Sequence, residues 1–109
     1  MEKKPFVTLE KLKEINETYP TPYHLYDEKG IRENAERLNK AFAWNKGFRE
    51  YFAVKATPNP FIIDILKKTG SGADCSSLTE LMMAKAMKFE GEKIMFSSND
   101  TPPEEFKLA

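Results

Sequence analysis

Cysteine and histidine are nearly absent from this sequence: among 109 residues, Cys75 and His24 stand alone in their kinds. One cysteine excludes an internal disulfide and fits a reducing cytoplasm. His24 has no companions at metal-ligand spacing and reads as a structural residue. Net charge is missing as well. Seventeen Lys and Arg balance 17 Asp and Glu, which leaves no electrostatic footprint for nucleic acid or an anionic membrane. No stretch approaches the ~20 consecutive apolar residues that a spanning helix needs. The start, Met-Glu-Lys-Lys-Pro, leads into an amphipathic stretch, so no signal peptide is expected. An apolar share of 40% is ordinary for a soluble protein, and the expectation is a soluble, cytoplasmic chain.

Apolar spacing then organises the chain. Leu9, Leu12, Ile15 and Tyr19 follow a helical period with Thr8 as N-cap, and Pro20 and Pro22 stop that helix. Tyr23 to Tyr26 reads as a short strand ended by Asp27. Ile31, Ala35, Leu38 and Phe42 mark one face of a second helix, broken by Gly47. Tyr51 to Val54 is apolar on both faces, as a central parallel strand would be. Asn59-Pro60 is an N-cap with Pro at N1, and Gly70 closes the helix it opens. A second strand covers Ala73 to Ser76. Ser77-Leu-Thr-Glu80 is a capping-box pattern for a helix through about Phe89, ended by Gly91. Ile94 to Ser97 forms a third strand, and Thr101-Pro-Pro-Glu104 repeats the capping-box signal before a last helix.

Three strand–helix repeats predict parallel β/α architecture. In such folds chemistry collects at the C-terminal ends of the strands. Here those ends carry Lys55, then Asp74 with Ser76, then Ser97, Ser98 and Asn99. From the pattern alone, Lys55 is either a site lysine or a solvated residue at a strand exit. Three units and a last helix of a turn or two fall well short of the roughly 200 residues of an eight-fold barrel. The expectation is therefore a piece of a longer barrel. Gly70-Ser-Gly72 precedes a strand instead of following one, so it fails as a dinucleotide loop. Cys75 lacks an identifiable base and reads as a small buried residue.

At Tyr51-Phe-Ala-Val-Lys55-Ala-Thr-Pro-Asn-Pro60 the sequence resembles the cofactor-lysine motif Tyr-Ala-Val-Lys-Ala-Asn-Pro-Asn of the fold-type III pyridoxal-phosphate enzymes. Thr21-Pro-Tyr-His-Leu-Tyr-Asp27 resembles their opening strand. Gly70-Ser-Gly-Ala-Asp-Cys-Ser-Ser-Leu-Thr-Glu80 resembles their Gly-x-Gly-x-Asp-x-x-Ser element, at the spacing from Lys55 that the family shows. Within the family, Met95-Phe-Ser-Ser-Asn-Asp-Thr101 is most similar to the diaminopimelate decarboxylases, with ornithine, arginine and carboxynorspermidine decarboxylases as neighbours. Alanine racemases usually follow their lysine with Asn-Ala-Tyr-Gly-His-Gly, which this chain lacks. Thr57, where the decarboxylases commonly carry Asn, is a departure beside the lysine.

The resemblance implies the first three β/α units of an alanine-racemase-like (β/α)8 barrel, incomplete here. Residues 1–46 would be an N-terminal helix, a β-domain strand and a connecting helix; residues 47–109 would begin the cofactor-binding barrel. It implies pyridoxal 5′-phosphate as cofactor, held by Lys55, with the flat ring packed against small Ala53 and with Asp74 close to the lysine linkage. The apolar residues Tyr51 to Val54 would help Lys55 stay uncharged. Glu80 is either a supporting residue near the lysine or the carboxylate of a capping box. Ser97, Ser98 and Asn99 are either pocket rim or helix-start residues. The implied activity is decarboxylation of an amino acid, meso-diaminopimelate to L-lysine, in a homodimeric parent without nucleic-acid or membrane partners. The isolated chain is expected to be inactive, because the phosphate loops, the ring-nitrogen partner and the specificity residues come from later strands. A non-catalytic homologue that binds a partner protein is the alternative.

Overall fold

The computed structural model describes residues 3–109, so Met1 and Glu2 of the starting sequence lie outside the described residues. Helix α1 spans Leu9–Thr18, and its N-cap is Thr8, whose hydroxyl accepts the Lys11 N–H at 3.2 Å. No residue of α1 is buried. Tyr23 to Tyr26 is not a strand: it runs without strand pairing into Asp27. Its residues favour extended backbone, but a strand also requires a neighbour to complete its ladder. Asp27 does more than end that segment. Its carboxylate accepts the Gly30 N–H at 3.0 Å and caps helix α2, Glu28–Ala41.

Strand β1, Tyr51–Ala53, is followed at once by a 3-10 turn, Val54–Ala56. Helix α3, Pro60–Lys68, starts as its sequence predicts: Asn59 Oδ1 accepts the Phe61 N–H at 3.0 Å, with Pro60 at N1. It ends in a Schellman turn. Ser71 N–H reaches the Leu66 carbonyl and Gly70 N–H the Lys67 carbonyl, with Gly70 at φ +95°. Strand β2, Gly72–Cys75, leads into helix α4, Leu78–Ala86. Helix α4 stops earlier than Gly91 would have it. Lys88 takes the left-handed conformation, φ 60°, while Phe89 N–H bonds the Ala84 carbonyl and Lys88 N–H the Lys85 carbonyl. Burial of Phe89 (4% exposed) against the core accounts for a lysine in a conformation usually left to glycine.

Strand β3, Ile94–Phe96, follows a second 3-10 turn, Gly91–Lys93, and the last helix is α5, Pro103–Leu108. Thr101 does not cap α5. The N-cap is Pro102, at ψ 147° with no side-chain bond. A residue before proline is driven away from the helical region, so Pro103 shifts the helix start by one position.

The three strands form one parallel sheet in the order β1-β2-β3. Its register aligns Phe52, Ala73 and Ile94 in one row and Ala53, Asp74 and Met95 in the next. Adjacent residues of a strand point to opposite faces. Ala73 and Cys75 join Val54, Ile63, Leu81, Ala84 and Phe89 in the hydrophobic core, with Phe52, Ile94 and Phe96 packed against it. That face is the one covered by α3 and α4. The rows Tyr51–Gly72 and Ala53–Asp74–Met95 therefore belong to the opposite face, where Met95 is 48% exposed.

Candidate functional site

Of the polar strand ends singled out in the sequence, Asp74 and Ser97 meet on that second face. Ala53 and Asp74 are register partners, both half-buried. Lys55 sits two residues beyond Ala53, inside the 3-10 turn, and its side chain is exposed. Among the described residues it enters none of the salt bridges, which all lie elsewhere. Its surroundings differ from the sequence expectation. Of the four apolar residues before it, Phe52 and Val54 point into the helix-covered core. Tyr51 lies at the far end of the strand, its ring across Gly72 and its hydroxyl donating to the Glu92 carbonyl at 2.5 Å. Only Ala53 shares the face with the lysine's end of the strand. Strand alternation separates the four, although the sequence runs them together.

Asp74 is held from the next strand. Ser97 Oγ donates to Asp74 Oδ1 at 2.5 Å. The Ser97 backbone is itself fixed, since its N–H donates to the Cys75 carbonyl at 2.9 Å and extends the ladder one step past β3. Ser98 and Asn99 make no comparable link to Asp74 among the described residues.

Glu80 turns its carboxylate to the backbone. It accepts the Ser76 N–H, while its own N–H donates to Ser77 Oγ at 3.4 Å. The pair is a capping box displaced by one residue, which fixes the turn between β2 and α4. Glu80 thus supports the loop that follows Asp74. Cys75 is fully buried, and its thiol is pushed up to about 11, by burial first and by the charges of Glu80 and Asp74 after it. A thiol so poorly ionised near neutral pH is a packing group, not a nucleophile. His24 stacks on Tyr26 with centroids 6.2 Å apart. The described residues hold no cluster of metal-ligating side chains, and no described helix is long and apolar enough to cross a membrane.

Two features had no sequence signal beyond their residue types. The Arg49 guanidinium pairs with the Glu92 carboxylate at 2.6 Å, linking the approaches to β1 and β3, and these hydrogen bonds raise its already high pKa. A cavity of about 400 Å³ lies between α2, α3 and β1, lined by Ile31, Leu38, Phe52, Ile62 and Leu66 among others. Both depend on residues far apart in sequence.

Comparison with known proteins places this geometry in a family. Residues 28–109 match the model of the pyridoxal-dependent decarboxylases' pyridoxal-binding domain. Protein TabA of Pseudomonas amygdali pv. tabaci is 48% identical over 90% of this chain. Diaminopimelate decarboxylase of Methanothermobacter thermautotrophicus is 34% identical over 88%. In each case the chain spans 23% of the relative's length. Among solved structures, diaminopimelate decarboxylase from M. jannaschi superposes with a TM-score of 0.80 at 34% identity, over 87% of this chain and 23% of that one. Ornithine decarboxylase from Entamoeba histolytica superposes with a TM-score of 0.76 at 27% identity, over 91% of this chain and 32% of that one. The parallel unit described above is thus the N-terminal region of that fold, and the chain belongs to the pyridoxal-dependent decarboxylase family, its residues 28–109 matching the pyridoxal-binding domain.

Proposed function

We propose that this chain supplies the cofactor lysine of a longer amino-acid decarboxylase, and that Lys55 is that lysine. The observation that carries the reading is the pairing of Ala53 with Asp74 near the C-terminal ends of β1 and β2, on the sheet face away from the core, with Lys55 in the turn that directly follows β1.

The donor set fits pyridoxal phosphate. Lys55 offers a primary amine outside every salt bridge of the described residues. Ala53 projects only a methyl group, which leaves room for a flat ring. Asp74 offers one carboxylate oxygen to Ser97, and its other oxygen accepts no side-chain bond among the described residues. When bound, the cofactor supplies an electron sink for the pair left behind by the departing carboxylate. Lys55 Nζ would hold the cofactor and would be the group to move a proton at the reacting centre. Asp74, on the neighbouring strand end, would offer a carboxylate that favours a cationic partner.

The preferred substrate is meso-diaminopimelate, giving L-lysine. Several relatives over 30% identical carry the name diaminopimelate decarboxylase, from Methanothermobacter, Bacteroides and Helicobacter among others. The ornithine decarboxylase likeness favours a second reading, a basic amino acid as substrate. In this proposal residues 1–46 lead into the barrel and residues 47–109 begin it. The parent is a cytoplasmic homodimer, and the 109-residue chain alone releases no carbon dioxide.

The test is chemical. The holoenzyme containing this chain is reduced with borohydride and its peptides are mapped by mass spectrometry. The pyridoxyl label is expected on Lys55, and a label on another lysine overturns the assignment. Carbon dioxide release measured side by side decides the substrate: faster turnover of ornithine than of diaminopimelate overturns the diaminopimelate reading.

A further inference from the structure

Asp74 is placed by its strand, but a strand fixes only a Cα–Cβ direction. An aspartate at a strand end keeps a choice of χ1 and a nearly free rotation of its carboxylate. Something else has to orient it if it is to face a bound group reproducibly. In this structure the only side chain bonded to Asp74 among the described residues is Ser97, through the 2.5 Å bond to Oδ1.

The hydroxyl that makes this bond is well anchored. Register pairs Asp74 with Met95 and Cys75 with Phe96, so Ser97 lies one step further along the ladder, on the face that Asp74 and Met95 share. Its N–H donates to the carbonyl of Cys75, a fully buried residue of the core. The chain of support runs from core to site: packed Cys75, the Ser97 backbone, the Ser97 hydroxyl, the Asp74 carboxylate. Asp74 Oδ2 accepts no side-chain bond among the described residues, and Asp74 is the register partner of Ala53, two residues before Lys55.

We propose that Ser97 is a positioning residue for the decarboxylase site, acting on the cofactor only through Asp74. The inference rests on the reading of Asp74 as a cofactor-facing carboxylate. It also separates Ser97 from Ser98 and Asn99, which the sequence left as an undivided polar group at the same strand end.

The experiment is a double-mutant cycle in the holoenzyme containing this chain, read by absorbance titration with pyridoxal 5′-phosphate and by the separation of kcat from KM. A hydrogen bond of ordinary net strength, as expected at a solvated strand end, is worth about three- to tenfold in affinity. Ser97→Ala is expected to weaken cofactor binding by about that factor, and Ser97→Thr, which keeps the hydroxyl, to restore it. In an Asp74→Ala background, which removes the acceptor, Ser97→Ala should add nothing. Ser97→Ala equal to the parent protein overturns the proposal, as does an effect that simply adds to that of Asp74→Ala. If Asp74→Ala leaves both cofactor affinity and kcat unchanged, the cofactor-facing reading of Asp74 itself fails and takes this inference with it. An additive Ser97→Ala beside a damaging Asp74→Ala instead leaves that reading standing and removes Ser97 alone.

Discussion

Gly72 is the position where one added carbon should do most harm. It opens β2 beneath the ring of Tyr51, and a Cβ built there lies 2.6 Å from Tyr51 Cδ1, 2.7 Å from Cε1 and 2.8 Å from the Lys93 carbonyl oxygen. Ordinary contact begins near 3.4 Å, so the ring would have to retreat by about 0.8 Å. It is not free to do so, because its hydroxyl is tied to the Glu92 carbonyl at 2.5 Å. The Lys93 carbonyl is backbone at the entry to β3 and cannot rotate away. Overpacking of this kind costs ~1–3 kcal/mol, and losing the tyrosine bond adds ~0.5–1.5 kcal/mol. Gly72→Ala should therefore destabilise by about 2–4 kcal/mol, a urea midpoint lower by about 1–2 M. Gly70→Ala is the control. Nothing lies within 4 Å of its Cβ, and only the left-handed φ of +95° opposes a side chain, at about 1–2 kcal/mol. Adding Tyr51→Ala to Gly72→Ala should recover only part of the loss, since the carbonyl clash stays. A Gly72→Ala protein within about 0.5 kcal/mol of the parent would refute this account of the open face.

Other outcomes follow from the same geometry. Lys55→Ala should abolish the borohydride-fixed pyridoxyl label while leaving the urea midpoint nearly unchanged, because an exposed lysine outside every ion pair of the described residues contributes little to folding. Lys67 donates to the carbonyls of Met87 at 2.5 Å and Lys88 at 3.1 Å and lies 5.1 Å over the Phe89 ring; Lys67→Met should cost about 1–2 kcal/mol and speed amide exchange at the end of α4. Cys75 has an ordinary pKa of 9.0 raised to about 11, so an unfolded thiol ionises while the folded one stays neutral. Stability should thus fall as pH rises from about 9 to about 11, and the slope should shrink in Cys75→Ala; an unchanged slope by urea titration argues against the burial effect. Asn59→Ala should cost about 1 kcal/mol in the same assay by removing the cap of α3.

Local chemistry made much of the fold legible. Asn59-Pro60 and Gly70 bracket α3 through bonds that each needs only its own neighbours. The apolar run at Tyr51 and the alternation after it gave a parallel sheet in chain order. The errors fall where a distant residue decides. Tyr23 to Tyr26 has strand-like composition without a partner strand among the described residues. The end of α4 is set by burial of Phe89, which carries Lys88 into a conformation its own type disfavours. At the candidate site, Lys55, Ala53 and Asp74 are the residues that the motif and its strand ends single out, but the bond that ties Asp74 to Ser97 spans two strands and appears only when the register is known. The apolar stretch before Lys55 was misleading for a related reason: a run reads as one environment in sequence and as two faces in a sheet.

The two faces carry different burdens, and this bears on where the proposed chemistry would sit. The face under α3 and α4 holds Val54, Ala73 and Cys75 at 1% exposure or less, packed so closely that a site there would need a cavity cut into the core. The opposite face carries a tyrosine ring seated on glycine at its lower end, then a methyl group, a carboxylate and a thioether in one row, then the polar strand ends. Parallel sheets in α/β proteins are normally covered on both faces, and a half-exposed methionine in the middle row marks this face as one that more chain would cover. Small and polar groups are retained where space is needed, and bulk is placed where it is not. Stability is concentrated on the helix side, which leaves Ala53 and Asp74 free of packing duty. That freedom lets a short residue and a charged one persist at the centre of a sheet, beside a lysine whose amine is bound to nothing in the unit described here.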